Sequence, residues 1–193
     1  MTWIDAIVNW DKAAFLAINS LHNPFFDFVM YWLSNRPLWI PLYVFLIYLI
    51  VRHYRRNAWY ILLSVIILVV LTDQVSVHLF KNVFHRLRPC HDPILSGMVY
   101  TLNGECGGTY GFISSHAANS FGFVVFLFPF LRKIVPGLNW ALIAWAALVS
   151  YSRIYLGVHF PLDVIVGAMV GVTLGFSCRN LAMSMIKAFP RGS

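Results

Sequence analysis

The sequence predicts an all-α, polytopic transmembrane helix bundle, with five spans and an N-terminal segment that is either an amphipathic helix or a sixth helix. Three observations predict it. The 193 residues are 60% hydrophobic and only 11% charged, against roughly 25% charged in an ordinary soluble domain. The apolar residues gather into runs that approach the roughly 20 residues a spanning helix needs. The basic residues between those runs favour alternate loops. The length suits one domain, so residues 1–193 are read as a single membrane-embedded unit.

The elements follow in order. Met1–Leu21 mixes Trp3, Ile4, Ile7, Val8, Phe15, Leu16 and Ile18 with Asp5, Asp11 and Lys12, an amphipathic pattern. A cleaved signal peptide is not expected, because a charged start, an apolar centre and a small-residue cleavage site do not occur in order. Phe25–Leu33 is apolar but too short to cross alone. The five predicted spans are Pro37–Val51, Ala58–Phe80, Ala117–Leu131, Leu138–Tyr151 and Leu162–Cys178. The shorter ones gain length from flanking aromatic and cationic side chains that reach the interface. In the last, Gly167, Gly171 and Gly175 recur at four-residue spacing and let another helix approach closely. Packing within the bundle is the expected use of that stripe, with a homodimer seam as the alternative.

Arg52, Arg55 and Arg56, then Arg132 and Lys133, then Arg179, Lys187 and Arg191 fall on one side if the spans alternate, which marks that side as cytoplasmic. The opposite, outward side then holds Lys81–Ser114 and Arg153–Pro161. It carries Lys81, Arg86, Arg88 and Arg153 against the trend, and an anionic ligand would explain them. Membrane lipids surround the whole. A net charge of +7 divided between inner loops and an outer pocket does not support nucleic-acid binding. Cys90 and Cys106 share the long outward loop, where an oxidising compartment allows them to pair. Such a bridge contributes about 3 kcal/mol in the chain-entropy picture. Two unpaired thiols are the alternative. Cys178 reads as a small apolar filler.

Three stretches carry chemistry. KNVFHRLRP, Lys81 to Pro89, holds Lys81 and Arg88 seven apart, on one side of a helix if the helix continues. In ISSHAANS, Ile113 to Ser120, Ser114 can cap a helix whose first free N–H groups make an anion site around Ser115 and His116. In SRIYLGVHFPLD, Ser152 to Asp163, Pro161 suits the first helical turn and Asp163 lies four residues after His159, within reach of one ring nitrogen. Alternating spans bring all three to the outward rim. The intervening loop, rich in Gly, Pro, Asn and Thr, is expected to be ordered over them.

The pattern K-x6-RP, then Ser-x-His, then SR-x5-H-x3-D resembles the type 2 phosphatidic acid phosphatase superfamily, over Lys81 to Asp163 and the span order around it. The family's second motif usually reads PSGH; here it is ISSH, and the extra β-carbon of Ser115 could crowd a phosphate held by the backbone. The resemblance implies metal-independent hydrolysis of a lipid phosphate monoester or pyrophosphate, with no cofactor. It implies that His159 accepts the phosphoryl group, Asp163 holds the other ring nitrogen, and His116 protonates the leaving alkoxide. Lys81, Arg88, Ser114, Ser115 and Arg153 would surround the phosphoryl oxygens. Relatives act on undecaprenyl pyrophosphate, lipid A phosphates or phosphatidylglycerol phosphate. The implied location is a bacterial inner (plasma) membrane, with the site facing the periplasm or exterior.

Other functions weigh less. A catalytically inactive lipid-phosphate binding or transport protein is the main alternative, and the intact His159, Asp163 and His116 count against it. The predicted spans disfavour a haloperoxidase. A two-metal phosphatase needs more carboxylates than Asp92, Glu105 and Asp163 on the outward face. Arg86 is expected to bind lipid headgroups, and His85 and His91 to lie on the loop surface. Asp73, Gln74 and His78 are expected to form a structural polar network.

Overall fold

The computed structural model describes residues 2–188; Arg191, assigned above to the cytoplasmic face, lies outside them. Among the described residues there are seven longer helices and no extended sheet, only an isolated bridge between Leu87 and Tyr110.

Helix α1 is Trp3–Asn19, opened by a capping box in which Thr2 and Asp5 satisfy each other's backbone N–H. Helix α2, Pro24–Ser34, starts on an Asn23 cap with proline in its first turn. A 3₁₀ turn at Arg36–Trp39 leads into α3, Ile40–Tyr54. Arg55, with a φ of 48°, reverses the chain into α4, Ala58–Gln74. This helix widens into a π-helical stretch, Val75–Lys81, and finishes with Asn82–Phe84. Helices α5 (Ser115–Leu131), α6 (Leu138–Tyr155) and α7 (Pro161–Ala188) complete the bundle.

Helices α3 to α7 coincide with the five apolar runs. Judged on length and mean hydropathy alone, two stretches are long and apolar enough to cross a membrane: 36–84, which contains both α3 and α4, and Pro161–Ala188. Side chains such as Ile40, Val44, Tyr48, Ile66, Val70, Leu79 and Met169 point outward from these helices and are exposed. An apolar outer surface of this kind suits lipid rather than water.

The core is built around α5, which packs most extensively on α7. Gly171 makes that approach possible: a β-carbon there would sit 2.1 Å from the Ala118 carbonyl oxygen. Gly167 and Gly175 face Ser114 and Gly122 of the same neighbouring segment in the same way. All three glycines are buried in this contact, so the homodimer seam has no free surface there. Leu127, Leu131, Leu142, Ala146 and Cys178 continue the core below it.

Helix α1 docks differently. Its buried residues are Asp11, Phe15 and Asn19, one face at four-residue spacing. Phe15 packs edge-on against Phe160. The Asn19 side-chain amide donates to the Tyr155 and Tyr100 carbonyls at 2.7 and 2.9 Å and accepts from the Tyr100 N–H at 2.8 Å. The first turns of the helix, with Trp3, Ile4, Ile7, Val8 and Trp10, are exposed.

Candidate active site

The three stretches converge. Ser114 caps α5, accepting from the Ala117 N–H, and its own N–H donates to the Asp163 carbonyl at 2.9 Å. The Gly111 N–H donates to the Arg86 carbonyl at 2.9 Å. The Val158 and His159 N–H groups both turn back to the Arg153 carbonyl at 3.2 Å. These backbone bonds bind the second stretch to the first and third, independently of any side chain.

Lys81 reaches the site from the π-helical end of α4, and its Nζ donates to Ser115 Oγ at 2.9 Å. A π turn places its side chain off the register of the preceding α-helix, and such turns occur often at functional sites. Arg88 arrives by another route than the one expected. The helix stops at Phe84 and His85 turns left-handed, so Lys81 and Arg88 do not share a helix face. Arg88 instead runs extended beside Thr109, whose carbonyl accepts its N–H at 3.1 Å. Its guanidinium donates to the Cys106 carbonyl at 3.2 Å. Cys90 and Cys106 form a disulfide, which closes the loop around that contact. Gly111 fits closely here: a β-carbon would lie 3.1 Å from Arg88 Cγ and 3.2 Å from Asp163 Oδ2, so these side chains would have to give by a few tenths of an ångström.

Arg153, on the last turn of α6, hydrogen-bonds Ser34 of α2. His159 sits in the turn between α6 and α7 and is 2% exposed. Its Nδ1 lies 3.5 Å from Asp163 Oδ2, a long contact that leaves this nitrogen without a full hydrogen bond. Asp163, fully buried, accepts the Phe160 N–H at 3.0 Å on the same oxygen. Burial pushes the His159 imidazole down to about 4; Asp163 opposes the shift and Arg88 and Arg153 add to it. The ring is therefore neutral at pH 7. His116 stands on the first turn of α5, half-buried, with its ring near His159 and Arg153. Arg88 Nε and Arg153 Nε are buried without a hydrogen-bond partner, so both keep donor capacity.

Arg86 departs from expectation. It does not reach outward to headgroups; it pairs with Asp163 at 2.7 Å and with Asp11, and lies 4.3 Å above the Phe160 ring. His85 and His91 are exposed, as expected. Asp73 accepts from the Asn119 amide at 2.9 Å, and Asn119 also meets Thr72, so Asp73 is tied to α5; Gln74 and His78, expected to join that network, are exposed. Among the described residues, one His, Cys and acid grouping is close enough to share an ion: Cys90, His91 and Cys106. Its two sulfurs are bonded to each other.

Two cavities meet at His116. A polar vestibule of 410 Å³ includes Arg36, Glu105, Gly107, Arg153 and Val158 in its walls. An apolar groove of 580 Å³ runs between α2, α3, α4, α5 and α6, past Tyr43, Leu62, Val65, Phe123 and Trp145. Ser34, Arg36 and His116 line both. Sequence reasoning missed Asp11 and Arg36. The four-residue spacing of Asp11, Phe15 and Asn19 was the available signal for the first. A basic residue just before an apolar run was the signal for the second.

Two histidines, a carboxylate and three cations gather where the three stretches meet, and of these His116 and Arg153 line the vestibule; such a set in a helical bundle suits hydrolysis of phosphate esters. A sequence profile of the PAP2 superfamily matches residues 57–184. A lipid A 4'-phosphatase of Bacteroides thetaiotaomicron is 34% identical over 174 residues, 87% of this chain and 75% of that protein. A lipid A 4'-phosphatase of Porphyromonas gingivalis is 35% identical over 173 residues, 89% and 72%. The crystal structure of a PAP2-type phosphatidylglycerolphosphate phosphatase from Bacillus subtilis shares the fold. Its TM-score is 0.68 at 24% identity, over 97% of this chain and 90% of that one. The chain belongs to the PAP2 superfamily; it is a membrane lipid phosphatase.

Proposed function

We propose that the protein removes phosphate from a lipid phosphate monoester or diphosphate by way of a phosphohistidine on His159, without a metal. The observation that carries this reading is the position of His116, shared by the polar vestibule and the apolar groove. A lipid whose tail lies in the groove would present its phosphate to His159 and its ester oxygen to His116.

In the first step the neutral His159 Nε2 attacks phosphorus. The P–O bond to the lipid breaks, and His116 gives its proton to the departing oxygen. Asp163 faces the Nδ1 side and supports the positive charge that develops on the ring. Lys81, Arg88 and Arg153 hold the phosphoryl oxygens, and these fixed cations lower the barrier by meeting charge as it forms. Ser115 supplies a backbone N–H at the start of α5, while its hydroxyl is already bonded to Lys81. Ser114 acts mainly as the cap that orients those N–H groups. In the second step His116 takes a proton from water, which displaces His159 and releases phosphate.

The relatives favour lipid A phosphate as the substrate class. A diphosphate is the second choice, since an undecaprenyl-diphosphatase of Sulfolobus acidocaldarius is 36% identical over 141 residues, 72% of this chain and 61% of that protein. We read α3 to α7 as five spans. The Tyr54 hydroxyl donates to the Phe130 carbonyl at 2.9 Å, so the basic loops at 55 and 132 share one end. The site then opens at the other, outward end. The test is a panel of lipid A, undecaprenyl diphosphate and phosphatidylglycerol phosphate, with the protein in detergent and EDTA. Phosphate release from one of them is expected; no release from any, with binding retained, would turn the reading into a lipid-phosphate carrier.

A further inference from the structure

Asp163 has more to do than hold a histidine. One oxygen, Oδ2, faces His159; the other, Oδ1, accepts from Arg86 at 2.7 Å. The Arg86 guanidinium continues to Asp11 Oδ2, and Asp11 Oδ1 accepts the Leu162 N–H at 2.8 Å. Both carboxylates are 0% exposed. A buried ion pair is costly unless its geometry and remaining hydrogen bonds are good, and these four groups satisfy one another. The connection spans three parts of the chain: α1, the loop after α4, and the start of α7.

The charge count gives the arrangement its purpose. His159 becomes cationic while it carries phosphorus, and needs a net negative neighbour. Arg86 fixes Asp163 in place but cancels its charge. Asp11 restores it: two carboxylates and one guanidinium sum to one negative charge. We propose that Asp11 and Arg86 are positioning residues that, with Asp163, form a single net-negative unit behind His159, so that the N-terminal helix sets the charge felt by the nucleophile. Neither touches the substrate. The groups that face His159 directly remain Asp163 from α7, Arg88 from the loop, Arg153 from α6 and His116 from α5.

This rests on His159 as phosphoryl acceptor, so the experiment carries His159→Ala beside it. Steady-state kinetics are measured for Asp11→Asn, Asp11→Glu, Arg86→Gln and the double variant Asp11→Asn/Arg86→Gln, on the lipid phosphate turned over by the wild type. Asp11→Asn keeps the shape and the Leu162 bond but removes the charge. Its kcat should fall at least tenfold with KM within threefold, because the loss is confined to the transition state. Asp11→Glu should stay within fivefold of wild type. The double variant regains a net charge of minus one and should exceed Asp11→Asn by at least fivefold, although it lacks both bonds. A purely structural role predicts the reverse, a double variant worse than either single one. Asp11→Asn with unchanged kcat, or a folded double variant less active than Asp11→Asn, overturns the inference. If thermal melting shows the double variant unfolded, the contrast between Asp11→Asn and Asp11→Glu decides, and equal losses overturn it. A His159→Ala enzyme that still turns over overturns the phosphohistidine reading itself, whatever Asp11 does.

Discussion

His159 is the residue on which most rests. The attack proposed for it needs a neutral ring, and burial provides one by holding the imidazole down to about 4. Protonation as the pH falls through that value removes the attacking lone pair. The acidic limb of kcat/KM, which reports the free enzyme, should therefore lie near pH 4, well below the roughly 6.5 of a free imidazole; a pH profile checks this. His159→Ala should lose roughly 10³-fold or more in kcat, the scale on which nucleophile removal acts. Arg153→Lys keeps the charge but loses the planar fork that holds Ser34 and that the proposed mechanism also turns to a phosphoryl oxygen. Its kcat should fall roughly 10²-fold, as read in the same assay. That His159, Asp163, His116, Lys81, Arg88 and Arg153 come together was legible from three short motifs and the alternation of the spans, although the shared helix face expected for Lys81 and Arg88 is broken at His85. Asp11 was not. Its partner Arg86 is 75 residues away, and nothing short of the packed structure says that they meet. Arg86 was misread for the same reason: taken alone, an arginine at a membrane rim has no visible reason to turn inward.

At the scale of elements, composition located five helices but not how they end. Helix α7 runs on to Ala188 because Arg179 and Asn180 interrupt the apolar run without breaking a helix. The π-helical turn before Lys81 is a matter of hydrogen-bond register, to which composition is blind. The end of that helix at Phe84 depends on His85 adopting a left-handed conformation, which few histidines do. The glycine stripe of α7 was readable as a close approach, and its partner proved to be α5. Gly171→Ala, with its β-carbon 2.1 Å from the Ala118 oxygen, forces the two helices apart. It should destabilise the fold by about 1–3 kcal/mol, as overpacking does. A lowered Tm in detergent is the expected result, with activity falling too because Ser114 and Asp163 join the same two helices.

The whole molecule brings a charged vestibule and an apolar groove to a common point. If the groove holds the lipid tail, filling it should penalise long substrates selectively. Val65→Trp, in the groove wall, should raise KM for a long-chain lipid phosphate at least tenfold. A short-chain, soluble phosphate ester should be affected no more than threefold, since its phosphate meets an unaltered site. Equal losses on both substrates would show that the tail lies elsewhere. The groove could not be foreseen from the sequence. Its walls come from five helices, and the same Phe, Trp and Leu residues would serve as well on a lipid-facing surface.

The central claim is that phosphorus passes to His159 before it reaches water. The stereochemical course at phosphorus tests it most directly, followed with a lipid thiophosphate made chiral by oxygen isotopes and with EDTA present. Two successive in-line displacements, onto the imidazole and then onto water, predict retention of configuration. Inversion would mean that water attacks the lipid phosphate directly, and His159 would not be the nucleophile.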